Sequence, residues 1–374
     1  MKELWIHSGL TKTGSSALQV FLAQNRDSLL AEGIDYIPLR NLNRAVSGKI
    51  TSGNGQLFAQ SLLDHGPDQI EDKHIHYNRL LEYLEKNDKT RYLVSSEFFQ
   101  TISQKAYKGL KNDLEKIGVE LHLLYYVRRQ DQKLMAMYMQ GVKRSGFTTL
   151  PGEDFVKRKL DDDFTLNYYD YTRNYEDILG EGHVHPFIYE NAVKHEKGLA
   201  GHFTSVLLGY YPKWVSAMQT VNTSPNPLEM RFMLLANKYN PRMSFSDYLV
   251  ESSFQAGRSA GFKKHQIFPK ELSRRIIEHY SEQNTLFENK YGGGGTFPAF
   301  IPDEFEDISA VEFKDNIEQT VDIFAGMLVA YDKRLAELER KINSKRSLKR
   351  YGVKKLKIIG DVFAKLMNRE KKNS

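Results

Sequence analysis

The chain of 374 residues contains no cysteine, so disulfide bonds and thiolate metal ligands are excluded. This suits a reducing compartment without requiring one. The chain also lacks any uninterrupted apolar run near the ~20 residues that a membrane-spanning helix needs. We expect no secretory signal, because residues 1–6 contain no hydrophobic signal region and lead directly into the small-residue turn described below. The expected location is the cytoplasm, with at most peripheral contact to the inner face of the membrane.

The body of the chain also lacks an excess of charge of one sign. The net charge is +6, and basic residues without matching acids are concentrated in residues 341–372. The remainder is close to neutral, so any positive field there must be local. We therefore expect no nucleic acid among the partners of the body.

The most informative segment is an apolar run, Leu4–His7, followed by the small-residue turn GLTKTGSS at residues 9–16. Apolar residues then recur at helical spacing: Leu18, Phe21, Leu22, Leu29 and Leu30. A strand that turns directly into a helix aims unpaired backbone N–H groups and a partial positive charge at one point, where anions bind. Lys12 adds a full charge. The segment predicts a phosphate-binding loop, and the alternative is a glycine turn with a solvated lysine.

The order of residues in this loop separates two kinds of phosphate site. Lys12 precedes Gly14, whereas a Walker A loop places its lysine after the second glycine. The order G-x-x-K-T-G-S-S resembles the 5′-phosphosulfate loop of sulfotransferases, which use 3′-phosphoadenosine 5′-phosphosulfate (PAPS) as donor. Sulfotransferases also place an arginine at the end of a later strand to hold the 3′-phosphate, and Arg128 matches it. Their usual serine eight residues further on is Ala136 here.

Two further motifs extend the resemblance. Residues 25–36 read N-R-x-x-L-x-x-x-G-I-x-Y, and the strand Tyr92–Ser95 ends in S-S-E with Glu97. Together the motifs resemble bacterial PAPS-dependent sulfotransferases of the polysaccharide-modifying kind, over about residues 1–300. The resemblance implies transfer of a sulfuryl group from PAPS to a hydroxyl of a carbohydrate acceptor, with release of 3′,5′-adenosine bisphosphate (PAP). It implies no metal ligand and no required metal.

The resemblance also implies roles for individual residues. Lys12 is expected to neutralise charge on the leaving 5′-phosphate, and Glu97 is the candidate base for the acceptor hydroxyl. His7 is the alternative base. The competing interpretations make Glu97 an ion-pair partner of Lys12 or Arg128, and His7 a structural hydrogen-bonding residue. Arg129, Ser145 or a later basic residue is a candidate to replace the absent serine. The expected donor-binding set is Gly9, Thr11, Lys12, Thr13, Gly14, Ser15, Ser16 and Arg128.

Predicted strands alternate with helical patterns, which favours an α/β fold: a P-loop-type, mainly parallel sheet flanked by helices, with a helical C-terminal extension. The strands are Leu4–His7, Ile34–Ile37, Tyr92–Ser95, Leu121–Val127 and His183–Ile188. Ligands of such sheets bind beyond the carboxyl ends of the strands, so one crevice should hold Lys12, Glu97 and Arg128. Residues 40–66 are either a loop over this site or a surface excursion.

The chain divides into a catalytic domain, residues 1–310, and a helical tail, residues 311–374. Within a predicted helix at 313–343, apolar residues follow a heptad repeat: Ile317, Val321, Phe324, Leu328, Tyr331, Leu335, Leu338 and Ile342. This helix either joins copies of the chain through residues 317–342 or packs on its own domain. A basic amphipathic helix at 349–369 either lies on an anionic membrane surface or packs as a second helix.

Two other functions stay open at this stage. One is a P-loop nucleotide kinase or hydrolase, which the position of Lys12 disfavours. The other is a non-catalytic coiled-coil scaffold with a degenerate nucleotide pocket, which Ala136 favours.

Elsewhere, residues 292–295 are four consecutive glycines and predict a break after a helix. A basic segment with Arg258, Lys263 and Lys264 is a candidate loop closing over the donor.

Overall fold

The computed structural model describes residues 2–63, 73–143, 149–162, 164–216, 218, 227–238, 246, 249, 252, 267–301, 317 and most positions from 319 to 342. Five parallel strands form one sheet in the described part of the chain. They are β1 Lys2–Ser8, β2 Ile34–Tyr36, β3 Arg91–Ser96, β4 Val119–Val127 and β5 Val184–Ile188. Each corresponds to a predicted strand, with ends within two residues of the prediction, and the expected α/β fold is confirmed.

Helices cover both faces of this sheet. They are α1 Ser15–Gln24, α2 Arg26–Ala31, α3 Asn43–Val46, α4 Gln56–Ser61, α5 Lys73–Lys86, α6 Gln104–Lys116, α7 Gln130–Lys143, α8 Gly152–Asp162, α9 Tyr168–Leu179, α10 Tyr189–Ala192, α11 Gly198–Leu208, α12 Pro227–Asn237, α13 Lys270–His279 and α14 Ser281–Tyr291. Short 3-10 helices occupy Glu97–Thr101 and Phe164–Leu166. None of the helices in the described ranges has the length and apolarity needed to span a bilayer.

The strands are apolar on both sides because the sheet is buried between two helical layers. On β1, Leu4 and Ile6 point into a core shared with α5, α6 and α9, whereas Trp5 points into a core shared with α1 and α11. The period of two along a strand separates these side chains onto opposite faces.

The strand order is β2-β3-β1-β4-β5. The chain leaves β1 toward β2 and β3 on one side, and it leaves β4 toward β5 on the other. Neighbouring strands whose connections depart in opposite directions open a crevice at their carboxyl ends. In this sheet the crevice lies between β1 and β4. The loop after β1 and the residues after β4 therefore face each other.

A third, helical core adjoins the end of β4. Buried residues of α7, α8, α12 and α13 pack together there, and Ile323 and Ala330 of the C-terminal region are buried as well. Every described residue between 317 and 342 is helical, as predicted. We call this segment the tail helix. The proposed basic helix at 349–369, the basic segment 258–264 and Ser145 lie outside the described residues.

Two predicted helix boundaries are informative. The apolar pattern from Leu18 to Leu30 forms two helices, because the chain breaks at Asn25 between α1 and α2. The four glycines end α14 as predicted: Gly293 and Gly294 have φ of 56° and 85°, in the left-handed region that glycine tolerates.

Candidate functional site

The loop after β1 is held in shape by its own polar groups. The backbone N–H of Gly9 donates to the carbonyl of Ser96 at 3.0 Å, which ties the loop to the end of β3. Both the N–H and the hydroxyl of Thr11 donate to Oε1 of Gln100 at 3.1 Å. Thr13 is buried, and its hydroxyl donates to the carbonyl of Leu10 at 2.7 Å. These side chains therefore fix the loop from inside.

Two left-handed residues shape the loop for an anion. Lys12 has φ of 73°, and no other non-glycine residue in the described ranges has positive φ. Gly14 has φ of 77°, and a Cβ there would approach Leu199 Cδ2 at 2.9 Å. Left-handed residues in such turns direct successive backbone N–H groups into one concavity. Helix α1 then begins at Ser15 without a side-chain cap, so the N–H groups of its first turn face the same concavity.

Arg128 lies beside this loop, as predicted from its place at the end of β4. Its Nη1 donates to the backbone carbonyl of Lys12 at 3.2 Å. The guanidinium also lies 5.5 Å from the ring centre of Tyr189, and its side chain is 15% exposed. Its Nε is buried and has no hydrogen-bond partner among the described residues. The structure thus brings the two predicted cationic residues into one crevice.

Glu190 is a site residue that the sequence analysis did not single out. It follows β5, its side chain is 16% exposed, and its Oε1 lies 3.8 Å from Nε of Arg128. Oε1 also accepts a hydrogen bond from the backbone N–H of Arg129 at 3.1 Å. Burial raises the pKa of Glu190, and the charge of Arg128 opposes that rise. The available signal was its position two residues beyond the predicted strand His183–Ile188, because Arg128 and Glu97 also follow the ends of predicted strands.

Arg129 is directed away from the crevice. Its guanidinium forms two hydrogen bonds with Asp131, at 2.7 and 2.9 Å, and Nη1 donates to the carbonyls of Pro298 and Ala299. In this arrangement Arg129 does not replace the absent serine at Ala136. A basic residue is unfavourable at a helix N-terminus, and the anion that offsets Arg129 at the start of α7 is Asp131 of the same chain.

Glu97 begins the 3-10 helix after β3, and its side chain is exposed. The hydroxyl of Ser52 lies 3.5 Å from Glu97 Oε1, so part of the 40–66 segment borders the crevice. Asn54, which the sequence analysis missed, fixes that segment. It is fully buried, its Nδ2 donates to the carbonyls of Ile37 and Leu93, and its Oδ1 accepts from the N–H of Ser95. Of the described residues in this segment, Ser52 contacts the site, whereas Asn43–Val46 and Gln56–Ser61 form α3 and α4.

His7 lies inside the sheet rather than at the surface of the crevice. It is 1% exposed, and its Nδ1 lies 2.8 Å from Oγ of Ser95. The ring packs edge-on against Phe203, with 5.2 Å between ring centres. Burial lowers the pKa of His7 to about 3, so the ring is neutral at pH 7. This environment favours the structural interpretation of His7 over the base.

Comparisons with known proteins add little to this geometry. No family model matches the chain, and no curated protein matches it. Among solved structures, the chain is similar to a sulfotransferase from Alicyclobacillus acidocaldarius at 13% identity and a TM-score of 0.40, covering 77% of this chain and 95% of that one. It is also similar to retinol dehydratase in complex with androsterone and the inactive cofactor PAP, at 12% identity and a TM-score of 0.32, covering 76% and 81%. Similarities at this level assign no function.

The burial of His7 predicts a contribution to acid sensitivity. Its pKa is about 3 in the folded chain and about 6.5 when unfolded, so between these values the unfolded chain binds the extra proton. Stability is therefore lost as pH falls below 6.5. Between pH 7 and pH 5, the unfolding free energy of the unsubstituted chain should therefore fall by about 2 kcal/mol more than that of His7→Gln. Urea denaturation at both pH values measures this difference, and an unchanged difference would contradict a buried neutral ring.

Proposed function

We propose that this chain is a sulfotransferase that moves a sulfuryl group from PAPS to a hydroxyl of a carbohydrate acceptor. The observation that carries the proposal is the contact between Arg128 Nη1 and the Lys12 carbonyl at 3.2 Å. It joins two anion-binding features from neighbouring strands in a single crevice. A nucleotide with phosphate groups at both its 5′ and 3′ positions matches such a pair, whereas a nucleoside triphosphate requires only the loop.

The residues present fit this donor. The concavity formed by Lys12, Gly14 and the uncapped start of α1 suits the 5′-phosphosulfate. Arg128 suits the 3′-phosphate, since its buried Nε lacks a hydrogen-bond partner among the described residues. The carboxylate of Glu190 beside it would repel the 3′-phosphate only while ionised. Burial raises the pKa of Glu190, which favours the neutral form. When bound, PAPS supplies the sulfuryl group and a nucleotide leaving group.

The residues of the chain then have separate tasks. The backbone N–H groups at the start of α1 orient the donor for in-line attack. The ammonium of Lys12 stabilises the negative charge that develops on the departing oxygen. Glu97 takes the proton from the acceptor hydroxyl as the oxygen forms its new bond. Because Glu97 is exposed and borders residues 51–55, it is accessible to a large acceptor such as a polysaccharide.

The donor-binding part of the proposal predicts selective stabilisation by PAP. At a hundred times its dissociation constant, PAP should add about 2.7 kcal/mol to the unfolding free energy, and Mg-ATP should add much less. Arg128→Ala should weaken PAP binding about ten- to a hundredfold, since hydrogen bonds to charged groups contribute about 1.5–3 kcal/mol. Thermal shift and titration calorimetry measure both effects.

The matched control is Arg274→Ala, which removes a half-exposed arginine paired with Glu271 on its own helix. It should bind PAP as the unsubstituted chain does. Stabilisation by Mg-ATP alone would instead indicate a nucleotide kinase or hydrolase. Absence of a response to either ligand would favour a scaffold with a degenerate pocket. If Arg128→Ala lowers stability without changing PAP affinity, Arg128 only clamps the loop.

The catalytic part predicts that Lys12→Ala abolishes most sulfuryl transfer while the fold is retained. Loss of one charge-stabilising donor typically lowers kcat about 10²–10³-fold. The substitution keeps the backbone carbonyl that Arg128 contacts, and alanine tolerates the left-handed conformation no worse than lysine, so the loop should survive. PAP release from labelled PAPS, measured across a panel of carbohydrate acceptors, reports the rate.

The exposed Lys108 of α6 provides the control for Lys12. Lys108→Ala should transfer at the rate of the unsubstituted chain. Full activity of Lys12→Ala would refute the role assigned to its ammonium group, whatever the identity of the acceptor.

A further inference from the structure

A second cluster of titratable side chains lies at the opposite end of the sheet from the crevice. Glu120, His122 and His183 each present a ligand atom, and these atoms all lie within 4.8 Å of one another. His122 lies six residues before Arg128 along the chain. At about 3.3 Å per strand residue, the cluster is roughly 20 Å from the crevice. It therefore belongs to neither the donor site nor the acceptor site.

Strand geometry explains why these residues meet. Glu120 and His122 are two apart on β4, so their side chains share one face. Leu123 pairs with Val184 and Leu124 with His185, which places His183 and His185 on the neighbouring strand segment at the same height. The spacings E-x-H at residues 120–122 and H-x-H at residues 183–185 are the sequence signal for this cluster.

The hydrogen bonds of His122 and His183 each use one ring nitrogen and leave the other for a metal. Nδ1 of His183 lies 3.1 Å from the carbonyl of Glu181, which can only accept, so Nδ1 carries the proton. Nδ1 of His122 lies 3.1 Å from Nε2 of His185. With that Nδ1 as donor, Nε2 of His122 bears the lone pair, and it is buried without a hydrogen-bond partner among the described residues. Metal-binding histidines are typically oriented by such a second hydrogen bond.

Neighbouring side chains hold the rings of His122 and His185 in place. Trp5 stacks on both rings, with 4.6 Å between ring centres in each case. The nearby Arg91 is paired with Glu3 at 2.6 Å, so its charge is locally compensated. Oε2 of Glu120 lies 3.9 Å from Nε2 of His122 and supplies an anionic ligand.

We infer that Glu120, His122 and His183 form a binding site for a divalent transition metal of the Zn²⁺ class, with water in the fourth position. Ligand atoms about 2.0–2.2 Å from Zn²⁺ are about 3.4 Å apart in a tetrahedron, so the side chains must converge by about 1 Å on binding. Because β5 is an edge strand, the ion would fasten it to β4. Two nitrogen ligands favour Zn²⁺ over Mg²⁺.

The test is calorimetric titration of the full, untagged and chelator-treated chain with ZnCl₂. We expect one equivalent to bind and to raise the melting temperature, whereas MgCl₂ does neither. Glu120→Gln and His183→Gln should each weaken Zn²⁺ binding at least tenfold, in line with the effect of lost metal-site interactions. His279→Gln, which removes an exposed histidine of α13, should bind as the unsubstituted chain does.

Visible absorption of the Co²⁺-loaded chain gives a second readout that does not depend on stability. A tetrahedral spectrum that disappears in Glu120→Gln supports the site, since this partly exposed side chain can be exchanged with little effect on folding. Absence of Zn²⁺ binding, or equal binding by the variants and the unsubstituted chain, would overturn the inference.

A separate observation concerns the tail helix. Its heptad residues Ile317, Val321, Phe324, Leu328, Tyr331, Leu335, Leu338 and Ile342 are between 41% and 67% exposed. The helix packs on its own domain mainly through a different face, with Ile323 1% and Ala330 4% exposed. Of the heptad residues, Phe324 also contacts Phe232 of the domain, with 5.0 Å between ring centres. Beyond Ala330, none of its described residues is buried. The C-terminal half of the helix therefore presents an apolar seam to solvent. A long helix with such a seam is not stable alone in water, because its stability depends on packing of the apolar face.

The charges beside the seam identify its occupant. With Leu328 and Leu335 at position a, the sequence places acids at position e and bases at position g. Among the described residues, Glu339 is the acid at position e and Arg334 is the base at position g. In a parallel, in-register pair of identical helices, each g position faces the partner's e position five residues further on, so Arg334 of each copy meets Glu339 of the other. In an antiparallel pair, e faces e and g faces g, so like charges meet.

We infer that the tail helix pairs with a second copy of this chain as a parallel coiled coil. Sedimentation equilibrium of the full chain should give twice the monomer mass. Leu328→Lys should weaken the dimer at least tenfold, because it places two ammonium groups in the seam. Val329→Lys is the matched control, since Val329 is 51% exposed on the same helix but lies outside the seam.

The absence of cysteine makes the orientation testable. In Leu338→Cys, the only disulfide that can form links two copies at the same position. Oxidation should yield a covalent dimer if the helices are parallel and in register. A monomeric chain, equal effects of Leu328→Lys and Val329→Lys, or no crosslink in a dimeric Leu338→Cys variant would overturn the inference.

Discussion

The hydrogen bond from Arg128 to the Lys12 carbonyl is the contact on which the candidate site depends. It joins residues that follow two neighbouring strands whose connections leave the sheet in opposite directions, so it fixes the two sides of the crevice relative to each other. A backbone carbonyl receives the guanidinium, and the side chain of Lys12 is therefore not needed to hold Arg128. The left-handed conformation at Lys12 costs about 1–3 kcal/mol, which the surrounding contacts must offset. Strain of this kind concentrates at functional sites.

The site is rigid at its base and polar at its rim. His7, Ser95 and Asn54 form a buried layer beneath it, in which His7 Nδ1 contacts the hydroxyl of Ser95 and the amide of Asn54 bonds to the backbone. Glu97 lies above this layer and is exposed. This division separates the groups that set the shape of the crevice from the group that meets an acceptor. It also explains why a loop as polar as residues 51–55 has a defined position: a single buried amide, that of Asn54, satisfies three backbone groups.

The sequence predicted all five strands because their apolar runs are buried on both faces and bounded by turns. It also predicted the meeting of Lys12 and Arg128, since both follow strands of one parallel sheet. It did not predict Glu190 or Asn54, because one carboxylate after a strand and one amide in a polar loop have no distinctive spacing. The assignment of Arg129 to the anion site was not supported, because its side chain pairs with Asp131. A sequence motif does not show which neighbouring charge a side chain pairs with. The heptad pattern predicted the tail helix but not which of its faces is covered.

The position of Arg129 has a consequence for which residues the pocket requires. Its buried guanidinium donates to the carbonyls of Pro298 and Ala299 and stacks near Phe300, while its neighbour Arg128 holds the loop after β1. The segment after the four glycines is thereby fastened to the same strand end that carries the nucleotide-facing side chain. A shortened chain that stopped before residue 298 would leave a desolvated cation without two of its acceptors, within one residue of the crevice. Everything through residue 300 thus belongs to the smallest piece of this protein that retains an intact pocket wall.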